Sequence, residues 1–149
     1  MGIIVTDEGF RNDNLAAAEA NGEFRFLTPD ELAEHAAGQG AVGLTVDNST
    51  DLEALVEWFD AVDVIVIPFP SFADGRGFSI ARRLRQLGYG GKLRASGHLI
   101  ADQYAHARRV GIDEIAISNE IAARQPEDQW TARAGWQQHF YQKRLLGTR

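Results

Sequence analysis

The stretch Pro68-Phe69-Pro70-Ser71-Phe72-Ala73-Asp74-Gly75-Arg76-Gly77-Phe78-Ser79 gathers the residue types best suited to handling an anion. It joins a β-branched run to a helical pattern that begins Ile80-Ala81-Arg82-Arg83-Leu84-Arg85. The prolines end ladder pairing, and the two glycines open backbone conformations closed to other residues. Ser79 is expected to cap the helix. A helix amino terminus preceded by glycines offers N–H groups to an oxyanion, and Arg76 adds a planar, permanent charge. Asp74 has two readings: it orients Arg76, or it acts as a carboxylate in proton transfer. The turn itself also has two readings, a site or a structural element. It is neither a Walker loop nor a dinucleotide fingerprint, because nothing reads Gly-x-Gly-x-x-Gly and no lysine follows the glycines.

Further polar residues fall where strands are expected to end: Asp47-Asn48, Gly97-His98 and Ser118-Asn119, with Asp102 and Gln103 on the next helical turn. In a parallel sheet these converge on one carboxyl edge, where ligands bind. The catalytic candidates are therefore Asp74, His98 and Asp102. The anion-binding set is Gly75, Arg76, Gly77, Ser79, Arg94 and Gln103. Arg94 lies inside a strand and needs a carboxylate, for which Asp47 or Asp74 is the expected partner; a buried ion pair and a substrate clamp both fit. His98, Asp102 and His106 are spaced as possible metal ligands on one helical face, but His98 is expected to precede the helix, and no metal is assigned. No Gly-x-Ser-x-Gly elbow is present.

Positioning these residues requires strands alternating with helices. Strands are expected at Ile3-Ile4-Val5, Val42 to Val46, Val64 to Ile67, Leu93 to Ser96 and Glu114 to Ile117, with Phe24-Arg25-Phe26-Leu27 as an edge strand. Helices are expected over Pro29 to Ala37 after a Thr28 cap, Asp51 to Phe59, Ser79 to Leu87 and Ile100 to Val110. A long terminal helix should run from Pro126 to Leu146, carrying Trp130, Trp136, Phe140, Tyr141 and Leu145. This alternation points to an α/β fold with a mainly parallel sheet and flanking helices, flavodoxin-like and doubly wound, with a partial β/α barrel as the alternative. No linker or repeat divides residues 1–149, so one domain is expected.

Composition narrows the chemistry. With no cysteine, the chain has no disulfide, thiolate nucleophile or Cys-ligated cluster. Together with the missing cofactor loops, this leads to no expected cofactor. The opening Met1-Gly2-Ile3-Ile4-Val5 turns acidic at Asp7 and Glu8, without a basic leader or an apolar span, so a cytoplasmic location is expected. The net charge of −6 argues against nucleic-acid binding. The charge is nonetheless divided: residues 1–75 carry 15 acidic and 2 basic side chains, and residues 76–149 carry 6 and 13. Either the fold interleaves the halves and neutralises them, or it leaves a basic face for an anion or an acidic partner.

Two resemblances bear on these residues. Val5-Thr6-Asp7-Glu8 and Asp74-Gly75 resemble parts of bacterial receiver domains, but Pro68-Phe69-Pro70 stands where a receiver carries its phospho-accepting aspartate, and no lysine follows Ile117. The chain more closely resembles the bacterial family catalogued as domain of unknown function 934, often labelled an oxidoreductase involved in sulfite reduction. The likeness rests on Phe69-Pro70, Phe72, Asp74-Gly75-Arg76-Gly77, Ser79, Ala81-Arg82, Leu84-Arg85, Gly91, Leu93-Arg94-Ala95, Gly97 and Asp102-Gln103. The chain departs from the family pattern with His98 in place of an acidic residue, and with Val110-Gly111 in place of a cysteine-glycine pair. The resemblance implies a place in sulfur assimilation and cysteine biosynthesis, beside a sirohaem sulfite reductase. Two functions follow from it. One is an accessory protein acting with sulfite reductase or its electron donor; the other is a small oxidoreductase or other enzyme that binds an oxyanion at the Asp74-Gly75-Arg76-Gly77 turn.

Overall fold

Five β-branched runs and the Phe24 segment form strands because their alternate side chains can be buried on a sheet face. The computed structural model describes residues 2–27, 29–32, 41–71 and 75–133. Its strands are β1 (Ile3–Thr6), β2 (Gly9–Asn12), β3 (Phe24–Leu27), β4 (Ala41–Thr45), β5 (Val64–Phe69), β6 (Lys92–Gly97) and β7 (Glu114–Ile117). They make one sheet in the order β2-β1-β7-β6-β5-β4-β3. The expected α/β class, a mainly parallel sheet with flanking helices, is what the structure shows. The Phe24 segment is an edge strand, as its alternation predicted.

Strands β3 to β7 are parallel and each lies beside its predecessor. Right-handed crossovers between such consecutive neighbours put their helices on one face, the winding used by β/α barrels. That face carries α2 (Pro29–Leu32), a 3-10 helix (Leu52–Ala61), α3 (Arg76–Gln86) and α4 (Tyr104–Arg109). Leu32, Leu55, Leu84, Tyr104 and Ala107 pack there on Val42, Ile65, Ile67, Leu93 and Ile115. The opposite face is covered by α1 (Asn14–Ala20), where Leu15 and Ala18 meet Phe24, Val64 and Val66. Helices therefore sit on both faces.

The structure adds to the sequence reading at several points. Strand β1 runs antiparallel to β7 and pairs with β2, a strand the sequence reading did not include. Asp7 and Glu8 form the two-residue loop between them, and Gly9 has a φ of 110°. The Asp51 to Phe59 helix is a 3-10 helix. Leu52, Leu55 and Trp58 recur every third residue, so three residues per turn bring them onto one side against the core. The Ile100 to Val110 helix divides into a 3-10 turn (Ala101–Gln103) and α4. Two short helices, α5 (Asn119–Arg124) and α6 (Glu127–Thr131), close the described chain. The helix expected over Pro126 to Leu146 is not continuous: α6 ends at Thr131 with Ala132 at its carboxyl cap. Thr28, residues 33–40 and residues 134–149, among them Trp136, Phe140, Tyr141 and Leu145, lie outside the described residues. Trp130 is fully buried, its ring edge-on to Tyr104 and its Nε1 donating to the Gln125 carbonyl at 2.9 Å.

Two aspartates lock the amino edge of the sheet in the same way. Asp63 accepts from Val42 N at 2.8 Å and donates its own N–H to the Val42 carbonyl at 2.9 Å. Asp113 repeats this with Leu93, at 2.9 and 2.8 Å, and also holds Arg85 at 2.9 Å. Each strand of these βα units is thus pinned to its predecessor by the residue just before it.

Candidate functional site

At the carboxyl edge, β5 ends on Phe69, which is 1% exposed, and Gly77 and Gly97 meet it there. A Cβ on Gly77 would lie 2.3 Å from the Phe69 ring. A Cβ on Gly97, whose φ is 123°, would lie 2.5 Å from the Phe69 carbonyl oxygen. His98 N donates to that carbonyl at 2.9 Å. The two glycines let the start of α3 and the end of β6 close onto the phenylalanine. Helix α3 starts at Arg76 with Gly75 at the cap position, so Ser79 is not the cap; it sits exposed in the first turn. Residues Phe72, Ala73 and Asp74 lie outside the described residues.

The structure brings Asn48 to Arg76: with its amide oxygen toward the guanidinium, Asn48 accepts from Nε and Nη1 at 3.2 and 3.0 Å. Neighbouring Asp47 is occupied by its own turn. It accepts from Ser49 N at 2.8 Å, Ser49 Oγ at 2.6 Å and Thr50 Oγ1 at 3.2 Å, and the Ser49 bonds hold its carboxyl below the usual range. Gln103 closes the 3-10 turn by accepting from Ile100 N at 3.0 Å. His98 is exposed at the end of β6, and Asp102 pairs with Arg133. The His106 ring packs 4.5 Å from Phe78. Among the described residues no group of three His, Asp or Glu side chains is placed to hold a metal.

Arg94 projects from the other face of the sheet, because Leu93 and Ala95 on either side of it point into the main core. Its partners are not Asp47 but Glu114 and Asp13. Nε and Nη2 reach Glu114 Oε2 at 2.6 and 2.5 Å, and Nη1 reaches Asp13 Oδ1 at 2.9 Å. Glu114 is the residue paired beside Arg94 on β7, and Asp13 caps α1 through Leu15 N and Ala16 N. Lys92 Nζ, 3.1 Å from Glu114 Oε1, completes a neutral cluster of two cations and two carboxylates. The sequence missed Asp13 and Glu114 because neither the α1 crossover nor the register of β6 on β7 is legible from local pattern.

Part of the divided charge is neutralised across the halves of the chain. Arg94–Asp13, Arg108–Asp7 and Arg83–Glu53 each join a basic residue of the second half to an acidic residue of the first. Arg82 and Arg109 are different: among the described residues neither has a carboxylate partner, and both are exposed. Arg82 lines a groove of about 510 Å³ between α3 and α4, together with Phe78, Ser79, Arg83, Gln86, His106 and Val110, and it shares a neighbouring concavity of about 400 Å³ with Arg109. Burial, then the charges of Arg82 and Arg109, hold the His106 imidazole below its ordinary range. Its signal in the sequence was the pair of adjacent arginines on each helix, Arg82-Arg83 and Arg108-Arg109.

No helix among the described residues is long and apolar enough to cross a membrane. No curated protein matches the chain. A family model described as a bacterial protein of unknown function (DUF934) matches residues 43–149, a span that includes the Phe69 packing unit, Arg94 and the α3–α4 groove. The chain belongs to that family.

Proposed function

We propose that the protein is a cytoplasmic accessory component of assimilatory sulfite reduction that docks on sulfite reductase or on its electron donor. The pathway comes from the family resemblance. The mode of action rests on one observation: among the described residues, Arg82 and Arg109 have no carboxylate partner and both line one concavity at the α3–α4 seam. Exposed surface cations of this kind suit electrostatic docking, which speeds encounter and fixes orientation. The chain is proposed to carry no haem, flavin or cluster of its own, since it lacks cysteine and a dinucleotide loop. Deleting the gene tests the pathway. The deletion strain should require cysteine when sulfate is the sulfur source, and growth on sulfate at the wild-type rate would contradict the assignment.

The second reading is an enzyme that binds an oxyanion at the amino end of α3. The meeting of Asn48 and Arg76 beside Gly75 and Gly77 favours it, because those groups gather at the strand ends where α/β proteins hold ligands. Asp74 or His98 would then move the proton. Isothermal titration with sulfite and sulfate separates the readings: the accessory role expects no binding in the millimolar range, and saturable sulfite binding that Arg76→Ala removes would favour the enzyme.

A further inference from the structure

The groove beside Arg82 and Phe78 does not stand alone. A second concavity of about 400 Å³ adjoins it, sharing Arg82, Gln86 and Val110 and adding Arg109 and Gly111. Both are open to solvent, so together they form a trough along the α3–α4 seam. From this geometry we infer that the trough receives an extended acidic segment of the partner protein, with one apolar side chain seated on the half-buried Phe78 and carboxylates meeting Arg82 and Arg109. The inference rests on the docking reading above and names its surface.

Three features select this occupant. An inorganic oxyanion would fill a small fraction of the trough and leave the half-buried Phe78 uncovered, whereas cavities of this size suit larger ligands. A compact small molecule calls for an enclosed pocket, and this one is open along its length. The cations are arginines, which bind carboxylates bidentately and stay charged at any working pH. Arg85, which lines the second concavity, is not available to a partner. Its guanidinium is committed to the carbonyls of Tyr89, Gly91 and Gly111 and to Asp113. The trough therefore presents charge at defined points rather than as a uniform basic patch.

The test uses the full chain and a fluorescein-labelled peptide, Asp-Glu-Phe-Asp-Glu-Leu-Glu, followed by anisotropy at low ionic strength. Wild type should bind it, and the double variant Arg82→Glu, Arg109→Glu should bind at least tenfold more weakly with an unchanged melting temperature. If charge reversal disturbs folding, Arg82→Gln with Arg109→Gln serves instead and should still weaken binding severalfold. A lysine-substituted peptide should not bind. Equal affinity of wild type and variant, no binding by wild type, or tighter binding of inorganic pyrophosphate than of the peptide would each overturn the assignment. Co-purification with sulfite reductase keeps the two levels apart. If it survives the double variant, the trough is excluded and docking stands; if wild type shows none, the docking reading fails.

Discussion

Replacing Arg94 by alanine should be among the most damaging single substitutions in this chain. Arg94 and Glu114 are each 6% exposed, and Arg94 supplies three of the contacts that neutralise Glu114 and Asp13. Without it, Glu114 keeps Lys92, whose side chain is 47% exposed and therefore screened by water. Breaking a buried pair by removing one partner costs about 3–5 kcal/mol. For a chain of this size each kcal/mol lowers the melting temperature by roughly 2–4 °C, so the midpoint should fall by about 6–20 °C. Domains are stable by only about 5–15 kcal/mol, so part of the population should be unfolded or insoluble. Urea unfolding followed by tryptophan fluorescence measures this, with Trp130 as a buried reporter. The same reasoning predicts that Arg94→Met combined with Glu114→Leu recovers most of the loss, because it removes both charges and keeps the volume. An Arg94→Ala variant with the wild-type midpoint would refute the buried-cluster account and return Arg94 to a ligand-binding role.

Three other expectations follow. Gly77→Ala should destabilise by about 1–3 kcal/mol, because its Cβ would lie 2.3 Å from a Phe69 ring that has no room to move, whereas Gly75→Ala meets nothing within 4 Å and should change stability by less than about 0.5 kcal/mol in the same urea titration. Burial acts to raise the Asp13 carboxyl, but the Arg94 hydrogen bond, the Ala16 and Leu15 N–H groups and the Arg94 charge outweigh it and hold the group below 3.8. A folded value below the unfolded one means that this stabilisation is complete above that pH and is lost as pH falls through the folded value, so Asp13→Asn should flatten the acid limb of stability against pH. The purified protein should show no visible absorbance band, and a stoichiometric flavin or haem spectrum would contradict the proposal that it carries no redox group of its own.

Much of the sheet could be read from the residues because β-branched runs such as Val64 to Ile67 leave few alternatives, and even the weak Phe24 to Leu27 alternation marked an edge. The hairpin was not legible: Thr6-Asp7-Glu8-Gly9 resembles a loop after a parallel strand as readily as a two-residue turn. Helix type was missed at Leu52, Leu55 and Trp58, where a spacing of three was read as part of a spacing of 3.6. Within the site, the convergence of Asn48 and Arg76 follows from strand ends meeting at one edge. The partners of Arg94 do not, because they depend on pairing register and on which face α1 covers. The charge split was visible in the sequence, but only the fold shows which arginines it spends on Asp7, Asp13 and Glu53 and which it leaves at the α3–α4 seam.

The most direct measurement is the interaction with sulfite reductase itself. Affinity-tagged chain, immobilised at low ionic strength, should retain sulfite reductase or its electron donor from a matched extract. The purified pair should associate with an affinity that falls steeply as salt rises, as expected for docking through exposed charges. The addition of the chain should also raise the rate of sulfite reduction from the physiological donor. Absence of any association at low salt, with no effect on that rate, would contradict the accessory role.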